Sequence, residues 1–420
     1  MSDREHLARI HRRIGFGLAE GELDALEDEG TSAVIDRLVD PDGAGVPAAP
    51  EDLWAGLDLS GREPEVRREH TIEAIGVWLD AMGATQRPLE EWMAWFWHGH
   101  LVTETRVVQF VPPMTRQINM FRRLGLGNLR DLLYETTVDP AMLVYLDGAT
   151  STGASPNENY GRELLELFAL GIGNYTEADV RAAATALTGW RVRRETGEAY
   201  FVPRRHDDTP QRFLGASGVH DVDSVVDAVV AHDACAPFIA GTLARAVLGP
   251  QVSDELVEDL ASDFRSSGLE LRPLMRAILE VDEDEWSPMV QGPMPFLVSS
   301  EKATGATLGQ LRLRMLREAD HLPWVPPNVG GWPSGTAWLT SSTTAARYNI
   351  AAAIASVAPE SGAARQAAAG ADYDVLADLL SRPEGFDDTT LDALDQLPGS
   401  GDRGVSRLTL ALASPDLVLV

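Results

Sequence analysis

Pro156-Asn157-Glu158-Asn159-Tyr160-Gly161-Arg162-Glu163-Leu164-Leu165-Glu166-Leu167-Phe168-Ala169-Leu170-Gly171, continuing through Tyr175-Thr176-Glu177-Ala178-Asp179-Val180 to Thr188-Gly189-Trp190, decides the reading of this chain. On a helix at about 100° per residue, Tyr160, Leu164, Leu165, Leu167 and Phe168 fall on one side. Glu158, Asn159, Arg162, Glu163 and Glu166 fall on the other. Gly171 suits the position just past a helix end, and Thr176 with Asp179 three places on predicts an N-terminal cap for a second helix. Val180, Ala183, Ala184 and Leu187 give that helix its apolar stripe. The segment therefore predicts a tight αα-hairpin.

Two readings of the polar side stay open. In the first it is a solvated face stitched by an Arg162–Glu166 pair at i, i+4, which contributes roughly 0.2–0.5 kcal/mol. In the second, Asn157, Glu158, Asn159, Tyr160 and Arg162 form a buried polar network that binds a ligand, because two amides flanking a carboxylate exceed what one helix cap needs.

Helical periodicity extends outward in both directions. Leu7, Ile10 and Ile14 begin the pattern, Pro64 to Trp97 continues it, and 103 to 147 supplies further helices. Trp92, Trp95 and Phe96 lie at i, i+3 and i+4, a spacing that core packing explains. Past Trp190, short β-like runs around Arg204-Arg205-His206-Asp207-Asp208-Thr209-Pro210 predict a small hairpin inserted at about 190–215. Pro326-Pro327-Asn328-Val329-Gly330-Gly331-Trp332-Pro333-Ser334-Gly335 has too many breakers for regular structure. Residues 41 to 51 have the composition of a surface connection, and Thr343 or Thr344 is expected to cap a helix from Ala345 to Val357. The expected fold is mainly α: a multi-helix globular body over 1–358 with the inserted hairpin and the long Pro/Gly/Trp loop, and a C-terminal helical portion over 359–420 packing on it.

Composition bounds the partners. Thirty-five basic against 64 acidic residues in 420 leave a net charge of −29. That balance argues against nucleic acid and anionic lipid, whose phosphates need clustered cations. Cys235 is the only cysteine, which excludes an internal disulfide and predicts a buried structural thiol. No apolar run reaches the length of a membrane helix, and the start has no secretory pattern, so cytoplasmic residence is the expectation.

Candidate chemistry is dispersed. Glu163, Glu166, His206 and Asp207 are the candidate catalytic groups. His100, His206 and Glu163 are the candidate ligands of a divalent metal, although no metal-binding spacing accompanies them. His98 and His100 are expected to leave the Trp-rich helix in an extended turn, since a two-residue spacing shares a face only there. Trp332 and Trp338 flank a glycine-rich turn and could form an apolar platform for a sugar or a partner. Phosphate-loop, dinucleotide and nucleophile-elbow motifs are absent from the sequence. A hydrolase-like enzyme on the carboxylates and histidines, and an accessory or scaffold protein binding a partner protein or polysaccharide, both remain as functional expectations.

Several blocks taken in order resemble the bacterial domain of unknown function 1800 family. They are His11-Arg12-Arg13-Ile14-Gly15-Phe16-Gly17, Trp95-Phe96-Trp97-His98-Gly99-His100, Phe121-Arg122-Arg123-Leu124-Gly125, Asp139-Pro140-Ala141-Met142, the 156 to 190 hairpin, Pro326 to Trp338, and Leu412-Ala413-Ser414-Pro415-Asp416. The resemblance covers almost the whole chain and brings no activity with it. It implies that many relatives are exported, and that a sulfatase-like protein of the domain of unknown function 1501 family is a candidate partner. Asp207-Asp208-Thr209-Pro210-Gln211-Arg212 stands where that family more commonly carries a Gly- and Lys-containing run.

Overall fold

The computed structural model describes residues 2–43, 51–397 and 402–420. Most of the surface connection expected over 41–51 lies outside them. Helices account for nearly every element, as the periodicity predicts, and the remaining regular structure is two small antiparallel hairpins.

The first helix, Asp3–Ile14, opens with a capping box in which the Ser2 hydroxyl accepts from Glu5 N and the Glu5 carboxylate accepts from Ser2 N. It buries Leu7, Ile10 and Ile14, and also Arg12 and Arg13. Arg12 reaches the Ser381 carbonyl and pairs with Glu384 at 3.0 Å. Arg13 donates to the backbone oxygens of Val247, Ser287 and Val420 at 2.6–2.7 Å. Two buried guanidiniums thus tie the start of the chain to segments more than 200 residues away. Helix Arg403–Ala413 packs on helix Ser341–Val357. The latter is capped by Thr340, earlier than the predicted Thr343 or Thr344, because the Thr343 hydroxyl is turned inward to the Trp338 carbonyl.

The Trp-rich helix, Pro88–His100, starts at a proline whose missing N–H costs nothing in the first turn. Helix Val111–Leu124 crosses it, joined by the Arg122–Glu91 pair at 2.6 Å and by Trp97 Nε1 donating to Gly125 O at 2.9 Å. His98 and His100 both lie within this helix. The extended turn expected there does not form, because the helical hydrogen bonds run on to Leu101 N, which donates to Trp97 O at 2.7 Å.

The signature segment begins as α-helix Asn159–Glu163 and widens into a π-helical stretch, Leu164–Ala169. Gly171 closes it at φ 82°, as expected of a residue past a helix end. The partner helix Glu177–Ala186 carries the predicted Thr176/Asp179 capping box, and the two helices pack as a hairpin. The β insertion is two hairpins: β1 Trp190–Val192 with β2 Ala199–Phe201, and β3 Gln211–Phe213 with β4 Ala216–Val219.

The irregular loop is pinned at one point. Gly331 has φ 81°, and a Cβ there would stand 2.2 Å from the Gly99 carbonyl oxygen. Only glycine lets the loop press against the end of the Trp-rich helix. That contact sets Trp332 on Trp95.

Candidate functional site

The polar face of the signature helix lies along the surface. Arg162 does not pair with Glu166. It holds Glu177 through two bonds of 2.7 and 2.8 Å and Glu158 at 3.2 Å. The π stretch beginning at Leu164 changes the angular step, so Glu166 leaves the i, i+4 position. Its carboxylate accepts from the Tyr175 hydroxyl instead. Arg162, Glu158 and Glu177 are 34%, 42% and 61% exposed, so the expected buried network is a partly solvated one.

The amides are used locally. Asn157 Oδ1 accepts from Asn159 N at 2.8 Å, Asn157 N donates to Ser151 Oγ at 3.0 Å, and Asn159 Nδ2 donates to Asp147 at 3.1 Å. Tyr160 is the member that points inward: its hydroxyl meets Thr137 Oγ1 at 2.7 Å, and burial pushes its pKa above the ordinary tyrosine value. Glu163 is half-buried, and its carboxyl is pushed up first by that burial and then by the charge of Glu166.

His206 and Asp207 are clamped to the end of the signature hairpin. Nδ1 of His206 donates to Thr188 O at 3.0 Å, Asp207 N donates to Thr188 Oγ1 at 2.9 Å, and the Asp207 carboxylate accepts from Thr209 N at 3.0 Å. His100 lies elsewhere, with Nε2 donating to Phe168 O at 2.8 Å and its ring stacked on Phe96. Among the described residues no three His, Cys, Asp or Glu side chains group as a metal site, so His100, His206 and Glu163 are not brought together. Cys235 is buried, and desolvation pushes its thiol up to about 12, which keeps it protonated and inert.

What the fold does bring together is His100, Trp332 and Trp338. They line a cleft of about 490 Å³ between the Trp-rich helix, the irregular loop, the end of helix Cys235–Leu248 and the segment 289–295. Trp332 stacks on Trp95 at 5.0 Å, Trp92 on Phe96 at 5.6 Å, and His321 packs on Trp338 at 4.4 Å. The shared face of Trp92, Trp95 and Phe96 is therefore a cleft wall as well as core. Trp332 Nε1 is buried without a hydrogen-bond partner among the described residues.

The polar lining is one-sided. Arg12, Arg13, Arg245, Gln291 and Thr242 border the cleft, and among the described residues no Asp or Glu side chain does. Arg245, in the last turn of its helix, is exposed; its carbonyl accepts from Gly249 N, while its side chain makes no ion pair or hydrogen bond among the described residues and lays the guanidinium over Gly241. His321 accepts from Met294 N at 3.0 Å, and burial, helped by the nearby charge of Arg347, drops its pKa to about 3. It is a neutral wall group, not a proton shuttle near pH 7.

Arg245, His321 and Gln291 escape sequence reasoning because nothing local marks them. They meet only through the packing of segments far apart in the chain.

Comparison with protein families matches residues 9–419 to one described as "Protein of unknown function (DUF1800)". No curated protein and no solved structure matches the chain significantly.

Proposed function

The chain belongs to the DUF1800 family, whose description carries no activity, and we propose that it is an accessory carbohydrate-binding protein that holds a polysaccharide segment along the aromatic cleft without cleaving it. The observation that carries this reading is the Trp95–Trp332 stack within a cleft bordered by Trp92, Phe96 and Trp338. Indole faces suit the C–H faces of sugar rings, and the surrounding polar groups suit their hydroxyls. The volume, about 490 Å³, falls in the range of sites that bury a drug-sized molecule or short oligosaccharide. Hydrolysis of a glycosidic bond uses a pair of carboxylates. The cleft lining offers none among the described residues, which favours capture. A glycan array probed with the native chain and with Trp332→Ala tests this. Retention of glycans by the native chain and their loss in the variant support it; an array on which the two behave alike overturns it.

The hydrolase reading, with Glu158, Glu163 and Glu166 acting beside His100 and His206, draws on the raised carboxyl of Glu163. It requires a metal or base arrangement spread over separate neighbourhoods. Metal analysis of the purified protein before and after chelation decides it, since a protein that carries no stoichiometric metal removes the metal-dependent form. Binding of a partner protein, including a sulfatase-like one, draws on exposed Ile172, Leu339 and Tyr348. Co-elution of a purified mixture checks it, and separate elution argues against it.

A further inference from the structure

The cleft has an electrostatic character opposite to that of the chain around it. The chain carries −29, yet the cleft is bordered by Arg12, Arg13 and Arg245 and, among the described residues, by no carboxylate side chain. Arg12 is neutralised by Glu384. Arg13 is held by three backbone oxygens, and burial is the first cause of its depressed pKa, followed by the charges of Arg9 and Arg12. Behind the wall, Arg347 is 3% exposed, donates one Nη to the Gln291 carbonyl, and leaves its other Nη buried without a partner among the described residues. A buried guanidinium without a carboxylate is costly. The Arg347 guanidinium lies over the Phe296 ring, and its charge is felt at His321 in the cleft wall. Arg245 also borders the cleft, and its side chain, laid over Gly241, has no ion pair among the described residues.

Resting on the reading of this cleft as a glycan site, we propose that the sugar it selects is acidic, with a carboxylate or sulfate ester met by Arg245 and the rings carried on the Trp95–Trp332 platform. The guanidinium fork matches either anion with two parallel N–H donors. The net charge of the chain does not oppose this at contact distance, because screening confines it to about 8 Å at physiological ionic strength. It does disfavour long polyanions at low salt, so short oligomers are the right probes.

The experiment is calorimetric titration with matched pairs. Tetragalacturonate is set against its fully methyl-esterified form, and a sulfated galactan oligomer against its desulfated counterpart. The native chain, Arg245→Gln and Trp332→Ala are compared. An acidic member is expected to bind about tenfold or more tighter than its neutral partner. Arg245→Gln should weaken the acidic member about tenfold more than the neutral one and so remove the preference, and Trp332→Ala should lose binding of both. The pair that shows the preference identifies the anion. Equal binding of acidic and neutral members, or a preference that survives Arg245→Gln, overturns the proposal and leaves glycan capture standing. Failure of every oligomer to bind the native chain removes both.

Discussion

Trp332 lies against Trp95 with ring centroids 5.0 Å apart and planes inclined by 29°, and the contact is fixed from the neighbouring residue, Gly331. The loop that delivers Trp332 has few regular hydrogen bonds of its own, so its position depends on the close approach of Gly331 to the Gly99 carbonyl. Gly331→Ala places a methyl on a backbone oxygen in a left-handed conformation. The expected destabilisation is at least about 1–3 kcal/mol, with loss of oligosaccharide binding. Chemical denaturation and a binding titration check it, and a variant unchanged in both contradicts the geometry.

The Arg122–Glu91 pair behaves differently from the surface pairs. Both partners are under a tenth exposed, at 9% and 3%, and burial pushes the Glu91 carboxyl up despite the arginine. Removing one partner leaves a buried charge, so Arg122→Ala is expected to cost about 3–5 kcal/mol. Arg162→Ala, which breaks pairs at a far more exposed site, should scarcely move the melting temperature. Comparable losses in the two variants would falsify this ranking.

Asp139 gives the fold a pH dependence. Its carboxylate caps helix Pro140–Tyr145 by accepting from Met142 N at 2.9 Å, and it accepts from Gln117 Nε2 at 2.8 Å. Burial nevertheless outweighs these bonds and lifts its pKa from 3.8 to about 7. The folded value lies above the unfolded one, so the folded chain holds the extra proton. Stability linked to this group is fully present below pH 3.8 and is lost as the pH rises through about 7. Asp139→Asn should flatten the change in melting temperature between pH 5 and pH 8. An unaltered pH profile in that variant counts against the assignment.

Tyr160 donates to Thr137 Oγ1, which is itself committed as a donor to Leu133 O at 2.6 Å. Tyr160→Phe removes one buried hydrogen bond without opening a cavity. Urea unfolding should report a loss of about 0.5–1.5 kcal/mol and an unchanged m-value.

Legibility from sequence followed the range of the forces involved. The hairpin of 159–186 was readable because its signals are local: the apolar stripe, Gly171, and the reciprocal cap of Thr176 and Asp179. The π stretch at Leu164–Ala169 was not, since a uniform 100° step assigns Glu166 to Arg162 when the wider turn hands it to Tyr175. For the same reason of range, the shared face of Trp92, Trp95 and Phe96 was readable while its second use was not. The wall that makes it a cleft comes from Arg245, Gln291, His321 and Trp332, more than 140 residues downstream. His100 was singled out for a metal and is instead tied to Phe168 O, a bond between two segments whose contact no spacing rule could foresee.

The most direct test of glycan capture is a crystal structure of the chain with a bound acidic oligosaccharide. A sugar ring lying on the indoles of Trp95 and Trp332, with its anionic group at the Arg245 guanidinium, is the predicted result. An oligosaccharide seated outside this cleft, or a cleft left empty at saturating ligand, contradicts the account.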